Sequence, residues 1–211
     1  MLKLSLKILR DIEAKPYMLL VGVGELGSLI LRKLRSVAGG ILFAYMYIPY
    51  NPDYIDTDEL GLAKLNTFEW YYISDSDPKV MLIEARIQPI SISPEPYYEV
   101  AGFMLDYIRR LRCKLIVVLD GVKSSSEGIL AFASRRSLLS KLEGYHVKAM
   151  HGGRVDGLSG LIVGLAGMKN MDAIGLLASF IDESSIPIVS STLLGLILSA
   201  FKIRIPGVYE T

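Results

Sequence analysis

The stretch Tyr17-Met18-Leu19-Leu20-Val21-Gly22-Val23-Gly24-Glu25-Leu26-Gly27-Ser28 decides how this chain reads. Its first five residues form a short apolar run of strand length, and the glycines that follow supply a tight turn. From Leu26 onward, Leu26, Leu29, Ile30, Leu34 and Val37 recur at helical spacing, with Arg32, Lys33 and Arg35 mostly off that face. Gly39-Gly40 is a helix stop, and residues 41–48 then read as a second buried strand. Strand, turn, helix, strand is the unit from which layered α/β sheets are assembled.

The same alternation continues along the chain. Residues 49–61, with two prolines and Asp53, Asp56, Asp58 and Glu59, form a loop that leaves the sheet. The β-branched and aromatic segments 67–73 and 79–87 are expected as strands of a hairpin around Ser74-Asp-Ser-Asp77-Pro78. Ser93 and Pro94 suit the N-cap and first position of a helix in which Val100, Phe103, Met104, Tyr107, Ile108 and Leu111 share a face. Residues 115–119 are wholly aliphatic, as in a central parallel strand, and Asp120-Gly121 is expected to close it. After it come a strand at 129–133, a helix at 135–143 and a strand at 146–150. The last third brings a glycine-rich helix opened by Gly157-Leu-Ser159-Gly160, a segment at 173–180 compatible with strand or helix, and a final helix from Pro187. The pattern predicts an α/β fold with a mostly parallel central sheet and helices on both faces.

The bulk numbers narrow the function. Lys and Arg total 23 against 22 Asp and Glu, a net charge of +1, so no field gathers nucleic acid or anionic lipid. Hydrophobic residues make up 51% of the chain, which points to a deep core and to buried contacts between copies. The single cysteine, Cys113, excludes an intrachain disulfide. The amino terminus alternates charge and apolar residues too closely for a signal peptide. Pro187, Ser190-Ser191-Thr192, Ser199 and Lys202 break the apolar stretch 186–203, so it is expected as a buried helix and not a membrane span. These readings place the chain in the cytoplasm.

Few residue constellations point to chemistry. Gly22-x-Gly24-x-x-Gly27 has the form of a dinucleotide-binding turn. The acid expected about twenty residues on, which would hold the ribose, is absent from Tyr45-Met-Tyr47-Ile48-Pro49, and Glu25 would repel a phosphate at the helix start. Gly22, Gly24 and Gly27 are therefore expected to be structural, and no cofactor is expected. Gly157-Leu158-Ser159-Gly160-Leu161 misses the nucleophile elbow because Leu161 stands where glycine is required. Gly157 and Gly160 are expected to let a helix lie close to a neighbouring backbone. His146 and His151 have no sequence link to Ser159, and Asp56-Thr-Asp58 lacks the twelfth-position carboxylate of a calcium loop, where Thr67 stands. No metal is expected either. Arg109, Arg110, Arg112 and Lys114 are expected to complement a helix end.

Taken in order, these segments resemble the proteasome assembly chaperone family, in the manner of an archaeal or other prokaryotic member of its second type. The resemblance rests on Leu19 to Ser28, on Asp120-Gly121 after the central strand, and on Gly153-Arg-Val-Asp156-Gly157-Leu158-Ser159-Gly160-Leu161-Ile162-Val163 with the apolar helix after it. It implies a three-layer α/β/α fold similar to nucleoside phosphorylases, formed by a single domain over 1–204 with a short tail at 205–211. It also implies homo-oligomers and non-enzymatic binding of proteasome α subunits. The tail residues Val208, Tyr209 and Glu210 are similar to the hydrophobic-tyrosine-any triplet with which proteasome activators dock, here followed by Thr211. The rival reading is a small-molecule binder or enzyme of nucleoside phosphorylase or Rossmann type that uses the Gly22 to Gly27 turn.

Overall fold

A computed structural model describes residues 3–12 and 15–206. In chain order the elements are β1 (Ser5–Ile8), β2 (Met18–Val23), α1 (Gly24–Ala38), β3 (Ile41–Tyr47), β4 (Asp56–Thr57), β5 (Ala63–Lys64), β6 (Thr67–Ile73), β7 (Val80–Ala85), α2 (Glu95–Arg110), β8 (Leu115–Lys123), β9 (Gly128–Ala133), β10 (Val147–Ala149), α3 (Gly157–Met168), β11 (Ala173–Phe180) and α4 (Ile186–Ala200). Short 3-10 helices occupy Arg136–Leu142 and Glu183–Ser185.

Nine strands form one sheet in the order β1-β3-β6-β7-β2-β8-β11-β9-β10. Its centre, β7-β2-β8-β11, is parallel throughout. Antiparallel pairs flank it, namely β6 with β7, β3 with β6 and β1 with β3 on one side, and β11 with β9 on the other. The expected hairpin is thus present as β6 and β7. Residues 173–180 resolve as strand, and the expected loop 49–61 contains β4, which pairs with β5 just beyond it in a small hairpin.

Period-two alternation in the strands builds two cores. Met18 and Leu20 of β2 face α1, α4 and the Arg136–Leu142 turn, while Leu19 and Val21 face α2 and α3. This is the three-layer α/β/α arrangement. On the second face Trp70 is fully buried, edge-on to Phe43 and to Tyr107 of α2. On the first face Lys33 Nζ of α1 donates to Pro187 O at 3.0 Å and Ser190 Oγ at 2.6 Å, fixing α4 beside α1. Residues Glu183–Ala200 are long and apolar enough to cross a membrane by length and composition, yet Leu193 and Ile197 of this segment are fully buried against the sheet.

Several boundaries differ from the sequence reading. Helix α2 takes Pro94, not Ser93, as its N-cap, because the Pro94 carbonyl accepts the first helical bonds from Tyr97 and Tyr98. Strand β8 runs four residues past Leu119, through Asp120-Gly121, because β11 continues to pair with it as far as Lys123. The segment 135–143 winds as 3-10 helix. Val37 is 58% exposed and so lies off the apolar face of α1. Ile205, placed in the tail, is buried with Ile203, while the backbones of Asp77 and Arg204 pair.

Candidate functional site

Strand β2 passes into α1 without an intervening loop, since Gly24 already belongs to the helix with φ of 66°. A Cβ on Gly22 would stand 2.3 Å from the Gly27 carbonyl oxygen, and one on Gly27 would stand 2.2 Å from that of Leu119. The first turn of α1 therefore rests directly on the backbones of β2 and β8. Ser28 Oγ donates to Gly22 O at 3.3 Å across the same contact. Beside it lies the carboxylate of Asp120, whose Oδ1 is 3.4 Å from where a Gly24 Cβ would be.

Asp120 in turn meets the start of α3. Ser159 Oγ donates to Asp120 Oδ2 at 2.6 Å, and the Gly121 amide donates to Oδ1 at 2.8 Å. Burial raises the Asp120 carboxyl above the usual carboxylate range, and these two hydrogen bonds work in the opposite sense. The Leu158 amide of α3 donates to Gln88 Oε1 at 2.9 Å, so the glutamine side chain caps this helix. Asp156, at the N-cap position, bonds Arg154 instead. Gly157 has φ of 74°, and a Cβ on Gly160 would stand 2.3 Å from the Val155 carbonyl oxygen. Ser159 is 1% exposed. Its proton is committed to Asp120, and His146 and His151, both far more exposed, make no hydrogen bond to it. The pair therefore lacks the access and the base that a serine nucleophile needs; it can join two elements.

These segments lie within residues 20–209, which the profile of the PAC2 family matches. This chain belongs to the PAC2 family. No curated protein matches the sequence. Among solved structures, the PAC2 chain is similar to Pyrococcus furiosus PbaB, an archaeal proteasome activator, with 20% identity over 97% of this chain and 91% of that one at a TM-score of 0.85. It is similar to Pyrococcus furiosus PbaA, an archaeal homolog of proteasome-assembly chaperone, with 14% identity, 95% and 88% coverage and a TM-score of 0.73. A proteasome-assembly chaperone homologue of Mycobacterium tuberculosis matches at 11% identity, 90% and 87% coverage and a TM-score of 0.72.

A second polar assembly of the PAC2 chain lies where β6, β7 and α1 meet. Glu84 is 7% exposed and is held by Arg35 Nε at 2.9 Å. Burial raises its carboxyl, opposed first by the Arg35 charge. The Arg35 guanidinium also lies over the Tyr71 ring, 4.2 Å from its centre. Glu69 stands directly opposite Glu84 in the antiparallel register and accepts from the Tyr71 hydroxyl. Burial, then the hydrogen bond to Glu69, pushes the Tyr71 phenol up. At the rim Arg86 pairs with Asp56 at 2.6 Å and Lys64 with Asp58 at 3.3 Å, so both carboxylates of the Asp56-Thr-Asp58 loop are engaged. The basic end of α2 is tied in as well, since Arg109 and Lys169 of the α3 end both approach Asp106.

Sequence reasoning missed Gln88, Arg35, Glu69 and Glu84. Glu69 and Glu84 each left a signal, as the one charge inside the strands Thr-Phe-Glu-Trp-Tyr-Tyr-Ile and Val-Met-Leu-Ile-Glu-Ala. Val208, Tyr209 and Glu210 lie outside the described residues.

Proposed function

We propose that this PAC2 protein is a non-enzymatic chaperone or adaptor that binds proteasome α subunits, acting in the cytoplasm as a homo-oligomer. The observation that supports it is the seat of Asp120. In a dinucleotide-binding fold the pyrophosphate lies at the N-terminus of the first helix. Here a carboxylate lies beside that helix start, and backbone contacts close the Gly22 to Gly27 turn. Proteins of the same fold include a proteasome activator and an assembly-chaperone homologue. In this reading Gly22, Gly24, Gly27, Gly157 and Gly160 serve packing, a single domain spans residues 1–204, and Val208, Tyr209 and Glu210 belong to a docking tail. Thr211 would set the terminal carboxylate up to about 3.5 Å from the position the docking triplet gives it, which weakens a direct ion pair.

Immobilised proteasome α rings provide the test. The chain should bind them, deletion of Thr211 should strengthen binding, and Tyr209→Ala should weaken it. Equal binding by all three removes the tail from the mechanism, and no binding by any of them overturns the assignment. Light scattering should give a multiple of 23.3 kDa; a monomer at tens of micromolar would refute self-association.

A further inference from the structure

The cleft between α1 and the ends of β6 and β7 encloses about 200 Å³ and has no place in a protein-binding role. Ser28, Arg32 and Arg35 line it from one face of α1, at the i, i+4 and i+7 spacing that stacks side chains on a helix. Glu69 and Glu84 line it from the sheet and Arg86 from the end of β7. Two like charges placed directly opposite each other across antiparallel strands repel. Arg35 offsets Glu84, and among the described residues no cation pairs with Glu69. Arg32 likewise has no carboxylate partner among the described residues, although it borders the same cleft as Glu69. The cleft thus presents one unpaired cation and one unpaired carboxylate that do not neutralise each other.

We propose that this cleft binds a small hydroxylated anion, its phosphate or carboxylate on Arg32, since Arg86 is already held by the Asp56 carboxylate at the cleft's rim, and its hydroxyls donating to Glu69 and Glu84. Guanidinium groups suit either oxyanion because their fork matches both. A volume of about 200 Å³ is enough for a pentose phosphate. The site adjoins the Gly22 to Gly27 turn through Ser28 and is independent of the proteasome assignment. Perturbed carboxylates in a cleft also mark functional positions in other proteins.

Calorimetric titration of the full chain with ribose 5-phosphate, gluconate, ribose and inorganic phosphate tests it. Saturable binding of ribose 5-phosphate or gluconate is expected, and which of the two binds more tightly identifies the anion. Ribose and phosphate alone should each bind at least tenfold more weakly. Arg32→Gln and Glu69→Gln should each weaken the preferred ligand at least tenfold, while the melting temperature of unliganded Arg32→Gln stays at the natural value. Absence of heat with every compound at millimolar concentration overturns the proposal. So does phosphate binding as tightly as the sugar phosphate, or binding that survives both substitutions.

Discussion

Ser159 Oγ, in the first turn of α3, donates a 2.6 Å hydrogen bond to Asp120 Oδ2 on β8. The bond joins the two segments most characteristic of the sequence, 39 residues apart. Ser159→Ala should lower stability by about 1–3 kcal/mol, because a buried carboxyl oxygen loses its donor. Chemical denaturation at neutral pH measures this, and a loss below the error of the fit would mean that water replaces the hydroxyl.

The same carboxyl sets a pH dependence. Its value in the folded protein is raised, so folding retains a proton that the unfolded chain releases. The stability that Asp120 contributes is complete below the ordinary carboxylate range and falls as pH rises through the raised value. Asp120→Asn cannot ionise, so its deficit relative to the natural chain should be largest in acid and shrink toward neutrality. Paired melting curves from pH 3.5 to 7.5 follow the difference; a deficit that grows with pH would reverse the sign assigned here.

Glycines of this chain should separate into two classes. Gly22→Ala forces a methyl to within 2.3 Å of a backbone oxygen that cannot swing aside, and should cost roughly 3 kcal/mol or more, or prevent folding. Gly24→Ala adds the strain of a left-handed residue, about 1–2 kcal/mol, and should leave any affinity for NAD or ATP unchanged. Gly102 lies within α2 with open space around its would-be Cβ, so Gly102→Ala should stabilise by about 0.5–1 kcal/mol. Thermal melts of the three rank them, and destabilisation by Gly102→Ala would contradict the packing described for α2.

Gln88 accepts the Leu158 amide in place of a conventional cap residue. Gln88→Ala should cost about 0.5–2 kcal/mol and raise amide exchange in the first turn of α3 before it affects α2. Uniform exchange across both helices would show that the side chain holds the loop and not the helix end.

Burial pushes the Cys113 thiol up to about 11. Since the thiolate is the reactive form, labelling by a disulfide reagent at pH 7.5 should be at least a hundredfold slower in the folded chain than in denaturant. Equal rates would place the thiol in solvent.

The sequence by itself determined the alternation of strands and helices, because each element needs only a local period of apolar residues: 115–119 for the central strand, the spacing of Val100 to Leu111 for α2. It also determined that glycines follow the strand at Tyr17 to Val21, and that no acid stands at Tyr45 to Pro49 where a cofactor fold would hold ribose. Tertiary structure decided what local period cannot encode. Whether 173–180 is helix or strand depended on β8 and β9 standing ready on either side to pair with it. The direction of the flanking strands followed from which edges they met. The roles of Asp120, Ser159 and Gln88, and the meeting of Glu69 with Glu84, arise from contacts between residues 15 to 70 positions apart, brought together by register and helix packing. Only the fold gave each of them its partner, since burial without a partner costs more than the chain's local preferences can offset.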